Sequence, residues 1–325
     1  MNKSDIPIDA VITWVDASDK EWQKKINKYL KIKIDFNKKK ESVRYNSIGE
    51  IDIAIKSIIK YASFVRNIFL VTDNQIPKSF NNLQSLAKEK GINLTVVDHK
   101  IIFRDFEDCL PCFNSCSIGT MLFRIPNLSE YFIVFNDDTF LMRETNSRDF
   151  FLNDYPVIRG KWKNFDENRI FRKTYYNLLT ILGIHKKKNV AGFKKFQQTS
   201  AKLAGTNKYL RRFHTPVSVR KSTLVNYFKT NNILKNNVQY KFRNESQFII
   251  SSLSEHLEIK ANTFIYNKNL QLTYFRSYKR PLLVKLKLAW FSKNTKKLFM
   301  TFQSLELADD KTLNYITNWI DNRIN

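Results

Sequence analysis

The sequence has 325 residues, of which 43% are hydrophobic and 26 are phenylalanines, so the chain can bury a core and is not a disordered basic protein. Its formal net charge of +25 indicates a polyanionic partner. The charge alone does not distinguish among nucleic acid, an anionic membrane and phosphorylated substrates. The sequence shows no apolar signal region, no apolar run of about 18 residues and no secreted disulfide framework, so we expect a cytoplasmic protein.

Four strand-like runs in the first 140 residues each end at an acidic residue, and helical patterns lie between several of them. The runs and the acids that follow are residues 8–15 with Asp16, 67–72 with Asp73, 94–97 with Asp98 and 132–135 with Asp137. This alternation predicts a mostly parallel sheet with crossover helices. Because ligands bind beyond the carboxyl ends of such strands, the four acids mark a candidate site.

Asn136, Asp137 and Asp138 follow the last of these runs, which is entirely apolar. Adjacent carboxylates at the end of a buried strand are costly unless positive charge lies against them. A divalent cation that carries a diphosphate would supply that charge, since hard cations bind carboxylate and phosphate oxygens. A polar turn that caps the strand is the other interpretation of these residues.

Three cysteines, Cys109, Cys112 and Cys116, lie between the third and fourth runs. Their spacing resembles part of a metal site, but no fourth ligand and no second Cys-x-x-Cys pair are nearby. We therefore expect reduced, partly buried thiols.

Residues 161–212 carry fourteen lysines and arginines but only two acids, with aromatic residues between them. A surface for single-stranded nucleic acid has this composition. So does a helical insertion that receives an anionic polymer or faces a membrane. No RNA-binding signature or glycine-rich loop accompanies the segment, so we do not expect nucleic acid.

Positively charged groups recur after this insertion. His214 precedes Arg220 and Lys221, and Arg243 follows about twenty residues later. Residues 276–300 then contain eight basic residues and no acid, with an apolar run at 282–291 that two lysines interrupt. This run indicates either an interfacial amphipathic segment for anionic lipid or an ordinary helix with a basic face.

Four stretches resemble successive blocks of the Stealth family of bacterial capsular polysaccharide phosphotransferases. They are residues 8–22, 44–77, 113–141 and 214–222, with a looser likeness at 241–248. The family is similar to the animal N-acetylglucosamine-1-phosphotransferase. The resemblance implies a GT-A-like α/β fold and transfer of a sugar 1-phosphate from a nucleotide sugar to a hydroxyl, with release of a nucleoside monophosphate.

The resemblance also implies roles for particular residues. Asp137 and Asp138 would hold Mg²⁺ or Mn²⁺ on the diphosphate, and His214 would act as the base. The other implied catalytic residues are Asp138, Arg220 and Arg243, and the implied substrate-binding residues are Asp16, Arg44, Asp73, Asn114, Asn136 and Lys221. Two positions depart from the family pattern, with Cys116 in place of a histidine and Gly119 in place of a glutamate.

We divide the chain into an α/β nucleotide-sugar core (1–160), a basic helical insertion (161–212), the rest of the catalytic core (213–265) and a basic helical C-terminal region (266–325). The expected partners are a nucleotide-sugar donor, a growing glycan that is lipid-linked, and lipids at the inner face of the cytoplasmic membrane. Two alternatives remain. One is a glycosyltransferase that forms a glycosidic bond, and the other is a non-catalytic polyanion-binding protein.

Overall fold

The computed structural model describes residues 6–38, 45, 48–168 and 192–324. Arg44 and much of the basic insertion therefore lie outside the described residues. Thirteen strands and eleven α-helices are present in the described ranges. The strands are β1 (Ile8–Thr13), β2 (Val65–Thr72), β3 (Asn93–Asp98), β4 (Tyr131–Asn136), β5 (Thr139–Leu141), β6 (Phe151–Leu152), β7 (Tyr155–Arg159), β8 (Lys161–Lys163), β9 (Tyr209–Arg211), β10 (Val217–Arg220), β11 (Ile265–Asn267), β12 (Leu272–Phe275) and β13 (Phe299–Phe302). The helices are α1 (Lys20–Asn27), α2 (Glu50–Tyr61), α3 (Phe80–Glu89), α4 (His99–Ile102), α5 (Ser115–Met121), α6 (Phe193–Leu203), α7 (Lys221–Thr230), α8 (Leu234–Val238), α9 (Ile250–Ala261), α10 (Pro281–Lys293) and α11 (Asp310–Ile324).

The central sheet has the strand order β10-β4-β1-β2-β3 and is parallel except for β10. Its inner strands are apolar because both faces are covered. Along β1, Ala10 and Ile12 pack into one core while Val11 packs into the other. The α/β prediction, a mostly parallel sheet flanked by helices, is confirmed.

The carboxyl ends of the parallel strands share one edge of this sheet. Thr13 is paired with Asn136, and Thr72 is paired with Asp98. The residues that follow β1, β2, β3 and β4 therefore emerge together, as the acids at the strand ends predicted.

Strand β10 runs antiparallel to its neighbour β4. Val217 is paired with Val134, and Arg220 is paired with Tyr131 at the amino end of β4. The start of β10, just after His214, thus lies near the carboxyl edge, whereas its end lies at the other edge.

The C-terminal region contains three strands that were not predicted, namely the end of β11 and all of β12 and β13. β13 lies between β12 and β5 in a three-stranded sheet. Since β5 begins at Thr139, this sheet holds the chain immediately after Asp138, whose carbonyl accepts a hydrogen bond from the Phe302 N–H (3.1 Å). Residues 266–325 are therefore part of the framework of the site and are not helical throughout.

Candidate active site

A cavity of about 650 Å³ opens at the carboxyl edge of the central sheet. It brings together six of the residues singled out in the sequence. They are Asp73, Asn136, Asp137, Asp138, His214 and Arg243. Since these residues come from four separate parts of the chain, the fold rather than sequence proximity creates the site.

Asp137 and Asp138 lie half-buried in the cavity wall, in the turn between β4 and β5. Burial raises the pKa of both carboxyl groups, and the charge of Glu50 raises both further. The Asp138 charge also raises the pKa of Asp137. None of the ion pairs formed among the described residues involves Asp137 or Asp138. The two carboxylates therefore repel each other in the free protein.

This donor set fits a hard divalent cation, which takes carboxylate oxygens and leaves positions for phosphate. Within the described residues, no group of three or more His, Cys, Asp or Glu side chains is arranged to hold a metal ion. In such a site Asp137 and Asp138 would be the carboxylate ligands, and substrate oxygens would complete the shell. The three cysteines are buried and form no disulfide with one another.

The imidazole of His214 is stacked between two aromatic rings at the cavity wall. Its centroid lies 5.9 Å from that of Phe193 and 4.9 Å from that of Tyr274. The His214 carbonyl accepts a hydrogen bond from the Thr301 hydroxyl (2.8 Å). Burial lowers the pKa of His214 to about 4, with further contributions from Arg212 and Arg276. The ring is therefore neutral at pH 7 and can accept a proton.

Arg243 is an exposed residue of the cavity wall, and its Nη2 donates to the Ser115 hydroxyl (2.8 Å). Asn114 is fully buried behind this contact. Its amide nitrogen donates to the Tyr240 carbonyl (3.1 Å) and to Gln247 Oε1 (2.9 Å), so it ties the two segments together. Asn114 thus positions the wall and does not line the cavity.

Three other predicted residues do not line the cavity. Asp16 accepts a hydrogen bond from the Ser18 N–H (2.8 Å) and stabilises the turn between β1 and α1. Lys221 lies with Arg220 at the amino edge of β4, where its Nζ donates to the Leu128 carbonyl (3.4 Å).

Arg220 forms an ion pair with the buried carboxylate of Glu258. The antiparallel register of β10 separates Arg220 from the cavity by the length of β4, about 15 Å. The site proposed below therefore excludes Asp16, Arg220 and Lys221.

One end of the cavity is aromatic, a feature that the sequence analysis missed. The lining residues there include Trp14, Trp22, Tyr45 and Phe113. The rings of Trp22 and Tyr45 lie 5.3 Å apart. Trp14 Nε1 and His99 Nδ1 are both buried without a hydrogen-bond partner among the described residues. The exposed faces of such rings can stack on a planar group.

Two acids that the sequence analysis missed also line the cavity, Glu50 and Glu306. Glu50 is the first residue of α2 and accepts a hydrogen bond from the Ile48 N–H (2.6 Å). Glu306 reaches the site because β13 pairs with β5, and no local pattern marks that pairing.

A second cavity of about 350 Å³ adjoins the first and shares His214, Arg243 and Ser115 with it. Its lining is largely apolar, with Phe132, Phe196 and other buried side chains. Cys116 and Gly119, the two departures from the family pattern, line this second cavity and not the first. They therefore affect the space that the second cavity provides next to His214.

Distant likenesses to solved structures are to glycosyltransferases. A glycosyltransferase of Streptococcus pneumoniae aligns with 96% of this chain and 60% of its own chain, at 10% identity and a TM-score of 0.40. The galactosyltransferase LgtC aligns with 97% and 96% of the two chains, at 9% identity and a TM-score of 0.41. These likenesses are too distant to assign an activity or a substrate.

Relatives with much higher identity are named phosphotransferases. A capsular polysaccharide phosphotransferase of Haemophilus influenzae is 43% identical over 164 residues, which are 50% of this chain and 43% of the relative. An exopolysaccharide phosphotransferase of Lactiplantibacillus plantarum is 41% identical over 147 residues, 45% of this chain and 40% of the relative. The matched part of the chain thus spans less than half the length of these relatives.

Two family models match the N-terminal half of the chain. Stealth protein conserved region 1 matches residues 7–33, and conserved region 2 matches residues 44–157. Residues 44–77 and 113–141, which resembled two blocks, both lie within conserved region 2. The matched ranges end before His214 and Arg243, whose correspondence to the family stays a prediction. The chain carries conserved regions 1 and 2 of the Stealth proteins, which confirms the family resemblance of its motifs.

Proposed function

We propose that this protein transfers a sugar 1-phosphate from a nucleotide sugar to a hydroxyl of an acceptor glycan. The product is a phosphodiester in capsular or other cell-surface polysaccharide, and a nucleoside monophosphate is released. The observation that carries the proposal is the single cavity that Asp137, Asp138, His214 and Arg243 line together. The names of the relatives, capsular and exopolysaccharide phosphotransferases, support the same reaction.

Asp137 and Asp138 would hold Mg²⁺ or Mn²⁺, which when bound neutralises charge on the donor diphosphate. The repulsion between the two carboxylates in the free protein favours such binding, because a cation removes it. We place the nucleoside against the aromatic residues of the cavity lining, where a base can stack on Trp22 or Tyr45.

In the transfer step, the acceptor oxygen attacks the phosphorus bonded to the sugar 1-oxygen. A new P–O bond forms to the acceptor, and the bond to the leaving nucleoside monophosphate breaks. Neutral His214 takes the proton of the acceptor hydroxyl, and Arg243 donates hydrogen bonds to phosphate oxygens. Positioning and charge neutralisation carry most of the rate enhancement in such transfers.

The second cavity adjoins His214, so we assign it to the acceptor. We propose that this acceptor is a lipid-linked glycan and that the protein works in the cytoplasm, at the inner face of the cytoplasmic membrane. The apolar lining and the replacements at Cys116 and Gly119 support an acceptor that differs from those of other family members.

The decisive experiment identifies the nucleotide that is released. Purified protein is incubated with a panel of nucleotide sugars, an acceptor extract and Mn²⁺, and the products are separated by chromatography. A nucleoside monophosphate together with a phosphodiester-linked product would support the proposal. Asp138→Ala should retain about 1% of the activity or less, since loss of one positioned charge costs about 10²- to 10³-fold. Near-normal turnover by a folded Asp138→Ala protein would contradict the assignment.

A glycosyltransferase is the second candidate, and the altered residues beside His214 favour keeping it. In that reaction the sugar carbon is attacked, so a nucleoside diphosphate would be released. A non-catalytic polyanion-binding protein would instead bind oligonucleotides with a steep dependence on salt and would show no turnover. That reading gives no role to the paired carboxylates at the cavity.

A further inference from the structure

Helix α10 is apolar on two opposite faces. Its inner face packs into the C-terminal core through Val284, Leu288 and Phe291, all buried. With about 3.6 residues per turn, the remaining apolar residues recur on the other side of the helix. We call these the outer face: Leu282, Leu283, Leu286 and Trp290. The inner face is therefore enough to anchor α10 in the core. Packing in the core does not explain why the outer face is also apolar.

The four apolar side chains of the outer face are exposed to solvent. The exposed fractions are 68% for Leu282, 52% for Leu283, 57% for Leu286 and 49% for Trp290. Of the fifteen large apolar side chains exposed among the described residues, these four share one helix. Scattered exposed apolar residues need no explanation, but a contiguous apolar patch indicates a binding surface.

Positive charge surrounds the outer face. Residues 276–300 contain eight lysines and arginines and no acid. Arg280 precedes the helix, and Lys293 and Lys296 follow the outer face at its other end; all three are exposed. Lys297 also lies over the ring of Trp290, at 5.7 Å from its centroid. The surface thus combines exposed leucines, a tryptophan and a cationic rim.

We infer that the outer face of α10 docks on an anionic lipid surface. A helix that lies in the interface buries leucines among acyl chains, keeps tryptophan at the headgroups and sets lysines against anionic lipids. The helix has 13 residues, and no helix in the described part of the chain is long and apolar enough to cross a bilayer. Binding would therefore be peripheral. A neutral protein partner would not account for the absence of acids.

Docking through α10 would also hold the proposed active site near the membrane. The Lys287 ammonium donates to the Tyr274 carbonyl, and the Tyr274 ring stacks on His214. One residue, Tyr274, thus links the helix to the imidazole of His214. If the proposed function holds, this arrangement brings the acceptor cavity to a lipid-linked glycan, but the docking itself can be tested without any turnover.

The test is co-sedimentation of the whole chain with vesicles. One set is pure phosphatidylcholine, and the other contains about one-third phosphatidylglycerol. We expect strong binding to the anionic vesicles, weak binding to the neutral ones and release at high salt. Lys293→Gln should weaken binding about fivefold, as expected for one charge near an anionic surface.

The variant Leu282→Ser/Leu286→Ser/Trp290→Ser should reduce binding by on the order of a hundredfold. Its matched control is Ile32→Ser/Ile76→Ser/Ile101→Ser, which removes exposed apolar groups elsewhere and should bind as the wild type does. Circular dichroism confirms that both variants are folded. Release of nucleoside monophosphate with a soluble acceptor should be unchanged in both, which separates docking from catalysis.

Equal binding by the outer-face variant and the control would overturn the inference. So would equal binding to neutral and anionic vesicles. Sedimentation velocity provides the other decisive outcome. If the wild type forms a dimer that the outer-face variant does not, and neither binds vesicles, the face is a contact between two copies of the chain and the lipid assignment is wrong.

Discussion

Asp137 and Asp138 show how a site can oppose stability at the level of single residues. Each carboxyl group is partly withdrawn from water. The charge of Asp138 destabilises the ionised form of Asp137, and the charge of Glu50 destabilises the ionised forms of both. An apolar or amide side chain there would stabilise the free protein. Their presence fits the proposed cation site, because a bound cation would remove the repulsion.

We expect Asp137→Asn to raise the melting temperature of the cation-free protein at pH 8 by on the order of 2–6 °C. The folded-state pKa of Asp137 is raised above its unfolded value of about 3.9, so ionisation destabilises the fold above about pH 4 and increasingly as pH rises. The gain should therefore shrink as the pH falls towards about 4. Thermal unfolding across this range measures it.

Mn²⁺ provides the control for this prediction. The cation should raise the melting temperature of the wild type, because binding to the folded state stabilises it. It should have little effect on Asp137→Asn. A gain from the substitution that is equal at all pH values would show that carboxylate repulsion is not its origin.

The role of His214 can be separated from its packing with His214→Phe. Phenylalanine keeps a ring between Phe193 and Tyr274 but has no nitrogen to accept a proton. We expect a rate loss of about 10²- to 10⁴-fold, with a melting temperature within about 3 °C of the wild type. A variant with near-normal rate would remove His214 from the mechanism.

The pH profile gives a second test of His214. Because its pKa is lowered to about 4, the neutral base persists well below the ordinary histidine value of about 6.5. With saturating Mn²⁺, the acid limb due to this group should therefore lie below about pH 5. An acid limb near pH 6.5 that disappears in His214→Phe would show that the ring is not shielded as the structure indicates.

Two arginines illustrate how elements, rather than residue types, decide between structure and chemistry. Arg220 at the end of β10 pairs with Glu258, whose side chain is 1% exposed, whereas Arg243 lies at the cavity. Arg220→Gln leaves a buried carboxylate without its cation and should cost about 3 kcal/mol or more in unfolding free energy. Below its melting temperature, the folded protein should keep its kcat.

Arg243→Gln is the matched comparison and should behave in the opposite way. The guanidinium is exposed, so we expect a change in unfolding free energy within about 0.5–1 kcal/mol. Activity should fall about 10²-fold or more, because a phosphate-binding charge is lost. Chemical denaturation and steady-state kinetics on both variants make the comparison. Equal effects of the two substitutions would contradict the assignment.

The strand ends, Arg220 and Glu306 show how much of the site could be predicted from the sequence. Apolar runs followed by acids correctly located β1 to β4 and the edge where the cavity lies, because buried parallel strands have a distinctive composition. The placement of Arg220 failed because it depends on the antiparallel register of β10, which is a long-range property. Glu306 was missed for the same reason, since the pairing of β13 with β5 joins segments about 160 residues apart.

Across the whole molecule, the C-terminal sheet supports the chemistry of the N-terminal core. Thr301 in β13 is fully buried, and its hydroxyl bonds to the His214 carbonyl and lies 3.0 Å from the Thr139 hydroxyl. Thr139 immediately follows Asp138. One side chain therefore fixes the two halves of the proposed site relative to each other.

We expect Thr301→Val, which keeps the shape but loses the hydroxyl, to reduce kcat about tenfold while lowering stability by about 1–3 kcal/mol. Thr301→Ser restores the hydroxyl and should recover most of the rate, despite the cavity that it leaves. Kinetics with saturating donor provide the measurement. If Thr301→Ser lowers kcat and Thr301→Val does not, packing rather than hydrogen bonding holds His214.

The cavity wall includes residues from Thr13 to Glu306. A nascent chain on the ribosome therefore has no complete cavity wall until Glu306 has been synthesised and β13 has been inserted beside β5. Fragments that end near residue 157 would contain both matched conserved regions and still lack the parts of this wall that His214, Arg243 and Glu306 form.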